Sequence, residues 1–312
     1  MRAFLFPGQG SQAVGMGAGL AEASRTARDV FEEVNEALGQ NLFQLMCHGP
    51  DEQLRLTENA QPAIMAHSLA VFRLLTRDGG VDLKKAANFV AGHSLGEYSA
   101  LCAAGSFDLA TTANLLRLRG RAMQQAVPVG VGAMAALLGA DLALAQRIAD
   151  AASEGEVCTV ANDNDPSQVV ISGHKGAIDR AIEIAKDMGA KRALPLPVSA
   201  PFHCPLMQPA AEAMADALSY VVLGAPAVPL YANVTAQPET DPDTIRNQLV
   251  EQVTGMVRWR ESVANMFDAG VHEFVEFGGK VLGGMVKRIT PDAKVTSVVT
   301  IEDIEALAKE TA

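Results

Sequence analysis

The chain has 312 residues, of which 49% are hydrophobic, and its formal net charge is −11. This length allows one large domain with an insertion or two modest domains, and either can bury a full core. The negative charge argues against nucleic acid as the main partner, and no apolar run approaches the length needed to cross a bilayer. No basic segment, apolar region or cleavage site precedes the strand-like residues 3–6, so we expect a cytoplasmic protein.

The cysteines of this chain show no pattern associated with metal binding. Metal-binding and disulfide-rich proteins place cysteines at short, repeated spacings. We therefore expect buried free thiols in a reducing compartment, with no metal site. The four residues are widely spaced and form no C-x-x-C pair: Cys47, Cys102, Cys158 and Cys204.

Strand-like and helix-like segments alternate in the first part of the chain. Residues 3–6 and 88–91 are typical of short buried strands, and each is followed by turn-forming residues. Pro62 suits the first position of a helix. A further helix is expected after the second strand, and Gly105 is well placed to end it. This alternation predicts an α/β fold with a mostly parallel sheet covered by helices.

The middle of the chain has a different order of elements, with four strand-like and two helical segments. Its turn-rich residues 162–166 are expected to join the second and third strands. The order βαββαβ is typical of a ferredoxin-like fold. We therefore predict a ferredoxin-like subdomain at 129–197, inserted into a larger domain formed by 1–128 and 198–312. Its segments are strand 134–138, helix 142–153, strands 157–160 and 168–171, helix 176–188 and strand 192–196.

Residues 92–96, Gly-His-Ser-Leu-Gly, fit the pattern G-x-S-x-G between a predicted strand and a predicted helix. In that setting a sharp turn lifts the serine hydroxyl clear of the sheet, and the flanking glycines avoid a clash at the bend. The backbone N–H of Leu95 could then donate to the oxyanion that forms when Ser94 attacks a carbonyl. The five residues alone are a weak signal, and a glycine-bounded turn with an incidental serine is the alternative.

A serine hydroxyl needs a general base to act as a nucleophile at neutral pH. Among six histidines we favour His203, because it follows the strand that returns the chain to the large domain and comes after the serine in chain order. A lone histidine is more often structural than catalytic, and no carboxylate stands out as its orienting partner. The others are expected at the surface, in a helix, in the small subdomain, or pointing away from Ser94: His48, His272, His67, His174 and His93.

In a helix predicted over residues 112–125, Arg119 falls among apolar side chains. Arginine is rarely buried without an anionic partner. One interpretation is a salt bridge to an internal carboxylate, or an aliphatic stem that reaches water. The other is a guanidinium that binds a substrate carboxylate through two hydrogen bonds. The polar face comprises Asn114, Arg117, Arg121 and Gln124, and the apolar face Leu115, Ala122 and Met123.

Six segments, in this order, resemble the malonyl-CoA:acyl carrier protein transacylases of bacterial type II fatty acid synthesis. The resemblance covers nearly the whole chain, and the ordered set is specific although each segment alone is not. The segments are FPGQGSQ (6–12), TENAQPA (57–63), GHSLGEYSA (92–100), RG (119–120), PFHC (201–204) and GKVL (279–282).

The resemblance implies an α/β-hydrolase-like domain with a ferredoxin-like insertion, and a ping-pong transfer of malonyl groups. It implies malonyl-CoA and holo-acyl carrier protein as partners, and no cofactor. In the family a backbone carbonyl near a glutamine orients the histidine, and the matching residue here is Gln252, which explains the missing acidic third member. The implied roles are nucleophile for Ser94, base for His203, malonyl carboxylate binding for Arg119, pocket and substrate contacts for Gln61 and Gln252, and oxyanion hydrogen bonds from the N–H groups of Gln9 and Leu95.

This chain departs from the family pattern at two places. The family often has Gly-Pro-Gly before Lys-Val-Leu, whereas this chain has Phe277-Gly278-Gly279, which bears on the rigidity of the loop and not on the chemistry. The residues around Gln252, 253–256, also differ from the expected pattern.

Three other functions fit parts of the sequence. A polyketide acyltransferase shares the fold and mechanism, and Phe202 before His203 favours malonyl over bulkier groups in that case. A serine esterase or thioesterase would transfer the acyl group to water, but a neutral acyl chain offers Arg119 no anion. A scaffold that only docks carrier protein would not need Ser94.

Carrier proteins are acidic, so docking to a chain of charge −11 requires a local basic patch. The candidates are Lys191–Arg192, Lys280 and Lys287–Arg288. A solvated charged surface is the alternative for each of them.

Overall fold

Ten β-strands form two separate sheets within residues 1–311, the part of the chain that the computed structural model describes. One sheet has six strands and the other has four. In chain order the strands are β1 (Arg2–Phe6), β2 (Phe89–Gly92), β3 (Gly132–Leu138), β4 (Cys158–Asp165), β5 (Gln168–His174), β6 (Arg192–Pro195), β7 (Leu230–Tyr231), β8 (Pro238–Glu239), β9 (Glu273–Phe277) and β10 (Lys294–Val298).

Fifteen α-helices lie within the same residues, and none of them is long and apolar enough to cross a membrane. A π-helical turn at Leu74–Asp78 continues α5, and a 3₁₀ turn at Pro205–Met207 precedes α11. The helices are α1 (Ala18–Ala23), α2 (Arg25–Leu38), α3 (Leu42–His48), α4 (Asp51–Leu54), α5 (Thr57–Arg73), α6 (Leu83–Ala86), α7 (Gly96–Ala103), α8 (Leu109–Gln125), α9 (Leu142–Ser153), α10 (Lys175–Ala185), α11 (Gln208–Ser219), α12 (Pro242–Thr254), α13 (Trp259–Asp268), α14 (Leu282–Ile289) and α15 (Ile301–Thr311).

The six-stranded sheet has the order β10-β9-β1-β2-β7-β8, and all neighbours are parallel except β7 and β8. Side chains of β1 alternate between two cores: Phe4 and Phe6 face the core that includes α5, and Ala3 and Leu5 face the core that includes α13. Strands buried on both faces are nearly continuous apolar runs, as β2 is and as β1 is after Arg2. The predicted α/β class with a mostly parallel sheet is confirmed.

The register of β1 and β2 places the loops that follow them side by side. Phe6 pairs with Gly92 at the carboxyl ends of the two strands. Parallel strands end at a common edge, and ligands of open α/β sheets bind there. The loop that carries Gln9 and the turn that carries Ser94 therefore meet at this edge.

The four-stranded sheet is antiparallel throughout, with the order β4-β5-β3-β6. It has its own core, in which α9 and α10 pack against the strands through side chains such as Leu137, Ile148, Ile171 and Ile178. Its elements follow the predicted order βαββαβ, and helix α9 has the predicted bounds. The separate antiparallel sheet is therefore as expected.

The predicted turn at 162–166 is wrong, because β4 continues to its last residue at 165 and only the next two residues turn. Register shifts after Val160 and Asp163 let the strand continue despite its polar sequence. Arginines of α13 and α14 pair with the buried carboxylates: Arg260 with Asp163, and Arg288 with Asp165, each at 2.8 Å. A turn-rich sequence is thus held extended by partners that are distant in sequence.

Pro62 lies in the interior of α5, which begins at Thr57, so its prediction as the first helical residue is wrong. Proline has no N–H, and the carbonyl four residues earlier therefore loses its helical donor. That carbonyl belongs to Glu58, and it accepts a hydrogen bond from Nε of Arg117 at 2.8 Å. The contact with α8 satisfies the group that the proline leaves free.

Candidate active site

Ser94 lies in the tight turn between β2 and α7, and its backbone is left-handed, with φ of 53°. Non-glycine residues rarely adopt this conformation, and those that do are concentrated at functional sites. A Cβ on Gly92 would lie 1.9 Å from the carbonyl carbon of Gly96, and a Cβ on Gly96 would lie 2.2 Å from the carbonyl oxygen of Phe6. Both flanking positions therefore require glycine, as the G-x-S-x-G pattern predicts.

His203 forms a hydrogen bond with Ser94, although 109 positions separate the two residues in the sequence. Its Nε2 lies 2.8 Å from Ser94 Oγ, and its Nδ1 lies 2.8 Å from the backbone oxygen of Gln252. A carbonyl only accepts, so Nδ1 donates to Gln252 and Nε2 is left to accept the serine proton. The carbonyl takes the place of the missing acidic partner.

The His203 ring is held neutral by its surroundings. Burial, together with the nearby charge of Arg119, lowers the pKa of His203 to about 3. The hydrogen bond to the Gln252 carbonyl acts in the opposite direction. Nε2 is therefore unprotonated at neutral pH and available to take a proton.

Arg119 points into the protein from α8 and is only 1% exposed. Its Nη2 donates to Ser94 Oγ at 3.1 Å and to Gln252 Oε1 at 2.8 Å, and its Nη1 donates to Gln61 Oε1 at 2.9 Å. Within residues 1–311 it forms no ion pair with a carboxylate. Arg119 therefore neither forms a salt bridge to an internal carboxylate nor extends its guanidinium into water, the two structural alternatives given above. Arg117, expected on the polar face, is buried as well.

Two residues behind the nucleophile were not anticipated from the sequence. Asn233 accepts from the Ser94 N–H at 2.8 Å and donates to the carbonyl of Gly92 at 2.7 Å, which ties both sides of the turn together. Glu97 is a buried carboxylate in the first turn of α7 that accepts from the side chain of Gln252. Its position one helical turn after Ser94 could have indicated that its side chain lies close to the nucleophile. No local pattern marks Asn233.

A cavity of about 260 Å³ opens in front of the serine. Gln252 does not line it, because this residue lies behind Ser94 and Arg119 and is completely buried. Among the residues singled out in the sequence, the cavity wall contains Gln9, Gln61, Ser94, Leu95, Arg119 and His203.

Most of the chain matches a known family: residues 3–280 fit the acyl transferase domain. The chain is 48% identical over 288 residues to the malonyl CoA-acyl carrier protein transacylase of Escherichia coli strain K12, with 92% of each chain covered. An acyl-carrier-protein-S-malonyltransferase from Bartonella henselae matches with a TM-score of 0.97, 52% identity and 99% coverage of both chains. A malonyl-transacylase solved in complex with a type II PKS acyl-carrier protein matches with a TM-score of 0.95, 40% identity and 99% coverage of both chains. The chain therefore belongs to the acyl transferase domain family and, within it, to the malonyl CoA-acyl carrier protein transacylases.

Proposed function

We propose that this chain transfers the malonyl group of malonyl-CoA to the phosphopantetheine thiol of holo-acyl carrier protein through a malonyl ester on Ser94. The observation that carries the proposal is the buried guanidinium of Arg119, which donates to Ser94 Oγ at 3.1 Å and pairs with no carboxylate of residues 1–311. A cation fixed beside the nucleophile suits an acyl group that ends in a carboxylate. The descriptions of the relatives, which include malonyl CoA and acyl carrier protein, support the same substrates.

The first half-reaction forms the ester. His203 Nε2 takes the proton of Ser94, whose Oγ attacks the thioester carbon of malonyl-CoA. Arg119 can only donate, so its bond to Oγ leaves the serine proton directed at His203. The developing oxyanion accepts from the N–H groups of Gln9 and Leu95. The carbon–sulfur bond then breaks, and coenzyme A leaves with the proton that His203 returns.

The second half-reaction repeats these steps with a different nucleophile. His203 takes the proton of the carrier thiol, and the sulfur attacks the carbonyl carbon of the malonyl ester. The bond between that carbon and Ser94 Oγ breaks, and Oγ regains a proton from His203. The products are malonyl-acyl carrier protein and free enzyme, and neither half-reaction includes a redox step or a cofactor.

Binding of the malonyl carboxylate also strengthens the base. Burial is the largest cause of the low pKa of His203, and the charge of Arg119 is the second. A carboxylate paired with Arg119 offsets that charge, so the pKa of His203 rises when malonyl is bound. In this arrangement Gln61 and Gln252 hold the guanidinium through its two Nη atoms, and the carboxylate approaches from the cavity.

The fold supports a finer description than α/β. The order β4-β5-β3-β6 within a βαββαβ segment is that of a ferredoxin-like sheet, and we assign 129–197 to this subdomain. Residues 1–128 and 198–312 then form an α/β-hydrolase-like domain, whose serine lies in the turn between a parallel strand and a helix. In this division one face of the four-stranded sheet has its own core, and the other face packs into the large core through residues such as Met134, Ala136 and Val170.

We assign the product to fatty acid synthesis. A polyketide carrier protein is the second candidate, because one structural neighbour was solved with a type II PKS acyl-carrier protein. Transfer rates to one carrier protein of each type, measured at equal concentration, distinguish the two assignments.

Intact-mass measurement after brief mixing with malonyl-CoA tests the function. We expect a persistent malonyl adduct on the wild-type chain, and its transfer to added holo-acyl carrier protein. Ser94→Ala should abolish the adduct without unfolding the protein, and His203→Ala should slow its formation by about 10²- to 10⁴-fold. Rapid release of free malonate would identify a hydrolase, and an adduct that survives in Ser94→Ala would overturn the assignment of the nucleophile.

A further inference from the structure

Glu97 is a buried carboxylate without a cationic partner. It is 1% exposed, and no basic side chain of residues 1–311 forms an ion pair with it. Its Oε1 accepts from the backbone N–H of Asn233 at 3.3 Å, and its Oε2 accepts from Nε2 of Gln252. Burying a carboxylate is costly unless it is paired and hydrogen-bonded, and within residues 1–311 the direct contacts that offset that cost for Glu97 are all hydrogen bonds.

The hydrogen bonds of Glu97 determine which way the amide of Gln252 points. Nε2 of Gln252 donates to Glu97 and to the backbone oxygen of Ser94 at 2.9 Å, so its Oε1 faces the other way. There Oε1 accepts from Nη2 of Arg119 at 2.8 Å. A reversed amide would place an N–H donor against the guanidinium, which has only donors. Glu97 thus selects the amide orientation that binds Arg119.

Charge links the two ends of this chain of hydrogen bonds. Burial raises the pKa of Glu97 to about 7, while its hydrogen bonds and the charge of Arg119 act in the opposite direction. Burial likewise lowers the pKa of Arg119, and the charge of Glu97 opposes that change. The negative charge of Glu97 therefore stabilises the Arg119 guanidinium. It acts through Gln252, on the side away from the cavity, and leaves the side toward the cavity free.

We propose that Glu97 is a positioning residue that, through the side chain of Gln252, holds Arg119 ready for the malonyl carboxylate. The proposal rests on the function proposed above. It separates the two groups of Gln252: the side-chain amide serves Arg119, and the backbone carbonyl serves His203. Loss of the Glu97 charge should therefore weaken malonyl recognition much more than the chemistry at Ser94.

The test is the ratio of kcat/KM for malonyl-CoA to kcat/KM for acetyl-CoA, above neutral pH where the Glu97 carboxylate is ionised. Glu97→Gln should lower this ratio roughly 10- to 100-fold, the range expected for losing a hydrogen bond to a charged group. The matched control is Glu276→Gln. Glu276 is equally buried and accepts only from backbone N–H groups, those of Val281, Leu282 and Gly283. That control should lose stability and keep the ratio.

A double-substitution cycle identifies the route. Gln252→Met keeps the backbone carbonyl that holds His203 but removes the side-chain amide, so it should lower the ratio as Glu97→Gln does. The two changes together should then lower it no further, because both act through one amide. If Glu97→Gln fails to fold, Gln252→Met carries the test, and a ratio that this variant leaves unchanged would overturn the proposal.

The outcomes that would overturn the proposal are specific. Additive effects in the cycle, or a ratio that Glu97→Gln leaves unchanged, would show that Glu97 does not act through Gln252. Equal loss for both substrates would assign Glu97 to the stability of the fold. Failure of the proposed function is distinguishable, since the wild-type chain would then form no malonyl adduct at all.

Discussion

Arg119 places a positive charge where water has almost no access, and the hydrogen-bond acceptors around it are neutral. Such a group has more to gain from a substrate carboxylate than from any other feature of a thioester substrate. Malonyl differs from acetyl by that carboxylate. At the scale of a single residue, Arg119 is therefore where selectivity for malonyl is expected.

Replacement of Arg119 should separate malonyl from acetyl transfer. Removing one partner of a buried charge pair costs about 2–5 kcal/mol, so Arg119→Ala should reduce kcat/KM for malonyl-CoA roughly 30- to 5,000-fold. Acetyl transfer should be retained or increase, because the unpaired guanidinium no longer penalises a neutral group. Arg119→Lys should rescue malonyl transfer only in part, since an ammonium cannot reproduce the planar fork.

Arg121→Ala is the control for this comparison. Arg121 lies on the same helix, is exposed, and pairs with Glu58 at the surface. Its loss should leave both substrates nearly unchanged. Equal depression of both substrates by Arg119→Ala would instead assign Arg119 to the stability of the fold.

At the scale of elements, the position of Arg119 depends on how closely α8 approaches α5. A Cβ on Gly120 would lie 2.6 Å from the carbonyl oxygen of Thr57 and 2.7 Å from Cα of Glu58. Both of these atoms belong to the backbone and cannot rotate away. The crossing brings Gln61 of α5 within hydrogen-bond distance of Arg119. Glycine at 120 is therefore a requirement of this helix pair.

Gly120→Ala should force the two helices apart. Overpacking of this kind lowers the free energy of unfolding by about 1–3 kcal/mol, which urea denaturation measures. The matched control is Gly19→Ala, an exposed helical glycine where a Cβ would meet no atom within 4 Å. It should be neutral or stabilising by up to about 1 kcal/mol, because alanine is the better helix former. A Gly120→Ala chain as stable as wild type would mean that α8 shifts without cost.

At the scale of the whole molecule, a net charge of −11 must be reconciled with an acidic partner. Arg288 is paired with Asp165, and Lys287 donates to the carbonyls of Pro291 and Ala293, so these two predicted docking residues are already engaged. All five predicted residues are exposed, and three of them have no ion pair or side-chain hydrogen bond within residues 1–311: Lys191, Arg192 and Lys280. Lys191 directly precedes β6 and Arg192 begins it, and this strand leads directly into the cavity wall at Leu196.

Reversing the charges of Lys191 and Arg192 to glutamate should raise KM for acyl carrier protein. The expected increase is roughly 5- to 30-fold, equivalent to about 1–2 kcal/mol from weakened surface ion pairs. Formation of the malonyl adduct should be unaffected, and added salt should weaken transfer in the wild type.

A control with the same change in net charge reverses Lys84 and Lys85. This exposed pair in α6 precedes the amino end of β2, at the edge of the sheet opposite Ser94. Its reversal should leave KM for the carrier unchanged. Transfer that does not respond to salt would argue against electrostatic docking.

Features that depend on neighbouring residues could be predicted from the sequence alone. The turn at Ser94 follows from two glycines between a strand and a helix, because the steric limits of that bend are local. The βαββαβ order follows from the periodicity of each segment, and the burial of Arg119 from the spacing of the apolar residues around it in α8. These predictions needed no knowledge of what packs against each element.

Features that depend on partners far away in the chain could not be predicted without the three-dimensional fold. Gln252 contacts Ser94 across 158 positions, and no spacing rule indicates that its side chain would join Glu97 to Arg119. Its backbone bond to His203 was implied only by the family resemblance. Both errors of local structure have the same origin. The 162–166 segment stays extended because distant arginines pair with it, and Pro62 is tolerated because Arg117 takes the carbonyl it leaves free. Hydrogen bonds between distant residues, rather than local propensity, decide such positions.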